Sequence, residues 1–585
     1  MEKRVLIAVI LSFIVLYAYQ AMFPPPKPAP GKGPAGTETS AQSSQPPAAP
    51  ASAASPSATT AENPAQTSSS PATPAAAPIL ADSAERDITV ENASVSAVFT
   101  TRGGALKSWR LKKYQDAARE PLELVPHTVP AGTTRPFTLA VADPAASGSL
   151  SAALFKPSVD QLVMTSGSGT LTFEYQDASG LAARKQFVFS SELPYVIDFS
   201  ASVSQSGKDL PLTVQWGPGI GSGVVATTRT YNPAPQPIFY RDGSVSRIRP
   251  NKVVENAVQD GTLPFAGVDD HYFLVATLPS AQPIHVEYRT LDVPLPSGAT
   301  VAHFVDWSTR YSAAPVKARF FLGPKDFDVL ASVDRDLVRS IDFGMFAWLV
   351  VPLLRALKWV NGYVGNYGWS IIILTILINV AMFPLRHKSV VSMRKMQEIQ
   401  PEVKAIQDRY ANLKMTDPAK QKMNTELMSL YRERGVNPAS GCVPMLLTFP
   451  VLLAFYSMLS VAIELRGAPF VGWIHDLSVQ DPLYITPVLM GITQFFQTKM
   501  TPSSADPTQQ RMMMLMPLVM MVWLVFMPSG LVLYWTTSNL WAIGQQVLTN
   551  KLIGPAKPRA VRPPAERRIK NVGGGRTDHA VKERK

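Results

Sequence analysis

Five apolar segments crowd between Tyr367 and Leu548, and one strongly basic stretch interrupts them. The first, YGWSIIILTILINVAMFPL (Tyr367 to Leu385), is long enough to cross a bilayer, and the 386–435 stretch that follows carries 11 Lys and Arg. A polytopic membrane protein with a large cytoplasmic loop needs such alternation, and a water-soluble protein does not.

The amino-terminal half is made of different material. MEKR precedes a 19-residue apolar run, Val5 to Phe23. That run is longer than a usual signal core, and no small-x-small site closes it, so residues 1–23 read as an uncleaved anchor with its amino terminus inside. Residues 24–84 are nearly all Pro, Ala, Ser, Thr and Gly, too poor in large apolar residues to form a core, and read as a disordered tether.

From residue 85 to 335 the pattern is that of strands. Leu171, Phe173 and Tyr175 alternate with polar residues, as do Ile284, Val286 and Tyr288, and Tyr195, Ile197 and Phe199. Gly103-Gly104, Asp242-Gly243 and Pro218-Gly219 mark turns between the runs. This predicts an all-β sandwich outside the membrane. Asp269-Asp270-His271 resembles a metal cluster, but His271 is read as opening the strand HYFLVATL. GPGIGSG (Gly217 to Gly223) lacks a P-loop Lys and a following helix, and reads as a loop. Cys442 is the only cysteine, so this domain has no internal disulfide.

Residues 336–365 contain RSIDFGMFAWLVVPLLRALKWV, with Arg355 and Lys358 on one polar side, and read as an amphipathic helix in the outer interface. Six spans then follow from hydropathy: Val5–Phe23, Tyr367–Leu385, Cys442–Ala462, Leu483–Thr498, Met512–Met527 and Ser529–Thr549. The last five form a core over residues 366–549. Both termini and the 386–435 loop fall inside, while Glu464–Asp481 falls outside with a single Arg466. The tail, residues 550–585, carries 11 Lys and Arg from Lys551 onward. The net charge of +12 is concentrated in that loop and tail, so topology accounts for it without nucleic acid.

The inside loop predicts a helical hairpin. Met393, Met396, Ile399, Val403 and Ile406 recur at helical spacing, and after Asp417-Pro418 so do Met423, Leu427 and Leu430. Such a hairpin either packs on itself or offers a docking surface, for which Arg394, Lys395, Lys404 and Arg409 are the candidates.

Within the core two spans have only 16 residues, about 24 Å of helix against a hydrocarbon layer of about 30 Å. Polar residues also sit in the spans: Thr375 and Asn379 on one helix face, Gln494 and Gln497, and Thr536 to Asn539. They either bond helix to helix or line a wet recess, in which Gln494 is a candidate substrate-groove residue beside Thr375 and Asn379. Seven methionines between residues 512 and 527 suit a surface accepting varied apolar partners, or core filling.

GNYGWSIIILTILINVAMFPL, SMRKMQEIQPEV, VNPASGCVPMLLTFPVLLAFY, WIHDLSVQDPLYITPVLMG and FMPSGLVLYWTTSNLWAIGQQ together resemble the YidC membrane protein insertases. FFLGPKDFDVL (Phe320 to Leu330) and HYFLVATLP add to the resemblance, which implies a Gram-negative inner-membrane member with a periplasmic β-domain. It also implies a groove open to cytoplasm and lipid, with Thr375, Asn379, Tyr534 and Trp535 at groove positions. The resemblance further implies that the third and fifth spans, with Met445, Leu446, Phe449, Met514 and Met520, form an apolar slide for the substrate. The family usually carries Arg where this chain has Asn379, and no Lys or Arg lies within that span; Arg386 stands at its cytoplasmic end. Implied partners are nascent membrane proteins, the Sec translocon, membrane lipids, and the ribosome through tail and hairpin. No GxxxxGK[ST], HExxH or GxSxG constellation has supporting context, so no ATP hydrolysis, cofactor or metal is expected. The rival readings are a scaffold acting through the outer domain and a secondary transporter, which would show repeated halves.

Overall fold

Strict alternation of large apolar and polar residues buries one face of a strand and wets the other, and the amino-terminal half of the molecule follows that rule. The computed structural model describes residues 77–116, 118–126, 132–220, 234–278, 283–294, 301–312, 314–410, 418–436, 443–501 and 507–553. The anchor Val5–Phe23, the bulk of the tether, Cys442 and the tail beyond Ile553 lie outside the described residues.

Among them the strands form three sheets. The largest is built around Ser168–Asp177, Leu181–Ser190, Val196–Gln205 and Val316–Pro324, all antiparallel neighbours. In its register Leu171, Phe187 and Phe199 lie side by side, and all three are buried. The second sheet centres on Ile284–Pro294 and Val301–Tyr311, and the third on Val95–Thr100 and Ala105–Gln115. Aromatic rings join the sheets face to face. Phe137 meets Phe187, Phe199, Trp216 and Phe320 at centroid distances of 4.9–5.1 Å. Trp109 of the third sheet donates its indole N–H to the Leu322 carbonyl of the first at 3.0 Å. This is the predicted sandwich.

The turns follow the residues that permit them. Asp242 and Gly243 both have positive φ, 50° and 79°, which closes a two-residue hairpin between Arg241 and Ser244. Three details differ from the sequence reading. A short strand, Pro78–Leu80, pairs with Ser168–Asp177 inside the stretch assigned to the tether; three residues are too few to show a period. The strand expected to start at His271 starts at Phe273, because Asp270 turns the chain by accepting the Tyr272 and Phe273 amides. Asp269, far from a metal ligand, pairs with Arg247 at 3.0 Å and Lys325 at 3.1 Å.

Ten helices are described. Helix α1 (Pro144–Ala152) belongs to the β-domain and α2 (Phe327–Val333) leads out of it. Helix α3 is Ala347–Val364, starting eight residues later than Arg339 because Gly344 (φ 66°) breaks the chain first. It buries Val350, Leu353, Leu354, Leu357 and Val360 while exposing Trp348, Trp359 and Tyr363, as an interfacial helix does. Its polar side faces α2: Arg355 lies over the Phe327 ring, and Lys358 pairs with Asp328 at 2.6 Å.

Helix α4 runs from Tyr367 to Glu398, well past the predicted span end at Leu385, since basic residues end a membrane crossing without ending a helix. It stops at Ile399 because Pro401, seated in the first turn of α5 (Gln400–Arg409), cannot supply an interior amide. The first hairpin helix is therefore split between α4 and α5. Helix α6 (Pro418–Glu433) completes the hairpin. The remaining helices are α7 (Val443–Val461), α8 (Ile485–Met500), α9 (Pro507–Leu524) and α10 (Ser529–Ile553). Among the described residues α4 alone is long and apolar enough to cross a membrane by length and composition; Phe449–Val461 and Gln510–Leu524 are shorter apolar helices.

Candidate functional site

The helical half reverses the burial rule of the β-domain. On α9 Met512, Leu515, Met516, Leu518, Val519, Val522 and Trp523 are exposed, whereas Thr375, Asn379, Thr493, Thr536, Asn539 and Gln545 are buried between helices. Apolar groups face outward and polar groups inward, the arrangement expected when the surrounding solvent is lipid.

On α4 the buried polar groups form a ladder. Thr375 donates its hydroxyl to the Ile371 carbonyl at 2.6 Å, and Asn379 donates from Nδ2 to the Thr375 carbonyl at 2.8 Å. Arg386 then reaches back two turns and donates from Nη1 to Asn379 Oδ1 at 2.7 Å. Seven residues return a helix almost to the same face, and the long side chain spans the rise. The apolar stretch without a cation thus receives one from the basic continuation of the same helix. Sequence reading placed Arg386 outside the groove, although its i+7 position relative to Asn379 was legible.

Tyr534 of α10 is buried, lies within electrostatic reach of Arg386, and stacks on Phe455 of α7 at 4.3 Å and 10°. Phe455 was not among the predicted residues. The next residue, Trp535, turns to α8, where its indole N–H donates to Gln494 Oε1 at 3.2 Å. Asn539 donates to Thr493 Oγ1 of α8 at 3.3 Å. The five predicted groove residues therefore fall into two sets: Thr375, Asn379 and Tyr534 around Arg386, and Gln494 with Trp535. A separate cleft of about 750 Å³, lined by Ile372, Ile376, Val380, Phe383, Leu540 and Trp541 among others, contains none of the five.

The outer end of this helix cluster is pinned by backbone bonds. Ser529 and Gly530 donate to the Val479 and Leu477 carbonyls at 2.7 and 2.9 Å. Asp481 is buried, which would raise its pKa, but it accepts from Trp473, Leu483 and Thr486 and is held below the usual carboxylate range. Above it the β-domain docks on the helices: a His271 ring nitrogen lies 2.6 Å from the Ser460 carbonyl, and Arg466 sits over the Tyr272 and Phe273 rings. Lys358 joins Glu464 at 2.8 Å and Asp326 at 3.4 Å. Burial works against its charge, but these carboxylates outweigh it and hold the ammonium above its ordinary range.

The apolar slide is partly described. Met514, Met520 and Phe449 are half-buried, Met520 packing on the core, and the side chains of Met445 and Leu446 lie outside the described residues. The exposed face of α9 is carried instead by the neighbouring residues named above. Gly491 of α8 lets α9 approach, since a Cβ there would meet Met521 Sδ at 2.9 Å. The hairpin packs on itself through Ile399, Val403, Ile406, Leu430 and Val436, and Glu402 bonds Arg434 at 2.5 Å. Of the docking candidates, Lys395 and Lys404 are exposed and Arg409 is exposed but paired with Glu426 at 2.8 Å. Arg394 is buried, so it is not part of an outward face.

Residues 359–556 match the family described as the 60Kd inner membrane protein, and residues 87–356 match the YidC periplasmic domain. The membrane protein insertase YidC of Geobacter metallireducens is 36% identical over 578 residues, covering 96% of this chain and all (100%) of that one. The chain belongs to the YidC membrane protein insertase family. The YidC of Syntrophus aciditrophicus is 35% identical over 575 residues, covering 94% of this chain and 100% of its own. A crystal structure of an active YidC insertase with its first transmembrane domain resolved is 18% identical, with a TM-score of 0.33 over 80% of this chain and 94% of that one. The protein is a membrane protein insertase and not an enzyme, an inner-membrane protein whose β-sandwich is periplasmic and whose substrates are nascent membrane proteins.

Proposed function

We propose that the chain inserts its substrates through a polar groove bounded by α4, α7 and α10, open to the cytoplasm and to lipid, without hydrolysing a nucleotide. The observation that carries this is the buried ladder Thr375–Asn379–Arg386 within helices whose outer faces are apolar. Releasing an apolar segment of about 20 residues into lipid is downhill, so the barrier is the passage of its polar flank through hydrocarbon. Hydrogen-bonding groups part-way across lower that barrier. The stacked Phe455 and Tyr534 rings and the bonds from Ser529 and Gly530 to the outer loop support a groove closed toward the periplasm. Helix α8, with 16 residues, reaches about 24 Å, which favours local thinning of the bilayer. The apolar substrate segment leaves along α7 and the exposed face of α9.

The same reading gives six spans with both termini cytoplasmic, activity alone or beside the Sec translocon, and ribosome contact through Lys395, Lys404 and the basic tail. The test is insertion of a one- or two-span protein into liposomes containing only this chain, read by protease protection of the translocated tail. Protection that depends on the chain and falls in Asn379→Leu supports the groove. No protection above empty liposomes would instead make the chain an assembly partner of other machinery.

A further inference from the structure

The cleft of about 750 Å³ between α4, α8 and α10 stands apart from the polar groups of the groove. Among the described residues none from α7 or α9 lines it, and none that lines it carries a charge. Its wall on α10 runs from Leu533 to Leu548, roughly 22 Å of helix. Ile376, Val380 and Phe383 of α4 face it and make it apolar. An apolar hollow is unremarkable where a protein meets lipid, but two features of this one are not.

The first is a pair of donors. Trp541 and Gln545 lie four apart on one face of α10, and both line the cleft. Gln545 is 7% exposed, and among the described residues neither its Nε2–H nor the Trp541 Nε1–H has a hydrogen-bond partner. Hydrocarbon offers no water to satisfy them, so each unmet donor is costly there. The second is Gly544, on the same wall. Glycine weakens a helix interior, and packing does not require it here: a Cβ at 544 would meet no atom within 4 Å. The chain keeps a notch open beside two unmet donors.

Shape and chemistry together select the occupant. Spread over its length, the cleft has a cross-section of roughly 34 Å², less than half that of a helix with its side chains. A transmembrane helix also has few acceptors to give, because its carbonyls already bond its own amides. The ester carbonyls of a glycerophospholipid are free acceptors, and each leads directly into an acyl chain. The depth agrees as well. Gln545 stands roughly 24 Å along α10 from Ser529, near the far limit of a hydrocarbon layer of about 30 Å. We propose that the cleft binds one diacyl glycerophospholipid of the leaflet remote from the periplasmic domain. One acyl chain lies between α4 and α10, and an ester carbonyl accepts from Trp541 and Gln545, whose soft terminal torsions let the N–H groups turn to it. With no charge in its wall, the site reads the ester and not the headgroup. It does not depend on the groove, and it holds its lipid away from α7 and α9.

The experiment titrates the full chain, purified in detergent and stripped of lipid, with diester or diether phosphatidylcholine of equal chain length. Native mass spectrometry counts the lipids bound. The diether form keeps the chains and headgroup but lacks the carbonyl acceptors. One diester lipid per chain should bind about tenfold more tightly than the diether, the gain expected from two neutral hydrogen bonds. The Trp541→Phe/Gln545→Leu double variant should remove that preference and keep the weaker binding of both lipids. Gly544→Leu, which fills the notch, should weaken both about tenfold. Thermal unfolding in lipid-free detergent checks that each variant folds, and the double variant decides the matter if Gly544→Leu does not fold. Equal affinity for the two lipids in the unaltered chain, or a preference that survives the double variant, would overturn the site. So would graded uptake of many lipids with no first tight one, or anionic phosphatidylglycerol binding tenfold more tightly than phosphatidylcholine. A dimer that excludes lipid would overturn it too, giving the cleft to a second copy of the chain.

Discussion

The periplasmic domain and the helical core follow one physical rule with opposite results. In the first, Phe99, Phe137, Phe187 and Phe320 are fully buried, while Arg184, Gln186 and Ser190 of the Leu181–Ser190 strand lie on its wetter face. In the second, Met516, Val519 and Trp523 face outward while Thr375, Asn379 and Thr536 are enclosed. Each region hides the groups its own solvent rejects, so the same side chain is stabilising in one half and costly in the other. The difference locates function. In the sandwich, buried polar groups are structural ties such as the Lys185 ammonium on three carbonyls. In the core, on the proposed mechanism, they lie along the path of a polar substrate flank.

Matched substitutions are the strongest way to break this comparison. Phe187→Ala removes a fully buried ring from the sandwich and should cost about 3–5 kcal/mol, measured by chemical denaturation of the reconstituted chain. Leu515→Lys, at an exposed position that would be harmless on a protein surface in water, should cost roughly 2.5–3.5 kcal/mol in bilayers. Equal tolerance of Leu515→Lys in bilayers and in water-like surroundings would show that α9 does not face lipid.

The junction between the two regions should respond somewhat less. Lys358→Met strands the buried Glu464 without its cation, and thermal unfolding should report a loss of about 3 kcal/mol. If Lys358→Met and the Lys358→Met/Glu464→Leu double variant unfold at the same temperature, that ion pair does not hold the junction.

A smaller effect belongs to the sandwich alone. Burial pushes the Asp306 carboxyl up to about 6, against the pull of Arg289. A raised carboxylate pKa means that the folded domain binds the proton more tightly than the unfolded chain. The stability it contributes is present below about pH 4 and is lost as pH rises through about 6. Asp306→Asn should therefore raise stability at pH 7 by roughly 1–2 kcal/mol, after allowance for partial exposure, and flatten the pH 4–6 slope. A slope unchanged by Asp306→Asn would assign it to another group.

Much of this was legible in the sequence, and the exceptions have physical causes. Period-two runs such as LTFEY became strands with their large residues inside, because local alternation and burial agree. Thr375 and Asn379 were placed on one face from spacing alone, and the bond between Asn379 and the Thr375 carbonyl follows from that. The split of the hairpin helix at Pro401 had a local signal that the apolar periodicity across it obscured. Arg386 was harder to place. Span assignment treats a basic residue as a boundary, whereas its flexible stem returns the charge two turns into the core. The stacking of Phe455 on Tyr534 joins residues 79 apart in sequence, which no local pattern reports.

The central claim is that the polar face of α4 meets water inside the bilayer while the adjoining face meets lipid. Its most direct test replaces Cys442, the only cysteine, with Ala and introduces Asn379→Cys or Val380→Cys into the reconstituted chain. A charged, membrane-impermeant thiol reagent is then applied from the cytoplasmic side. The account predicts labelling at residue 379, slowed by its burial between the helices, well above that at residue 380, which is exposed but faces lipid. Labelling at 380 with none at 379 would contradict it.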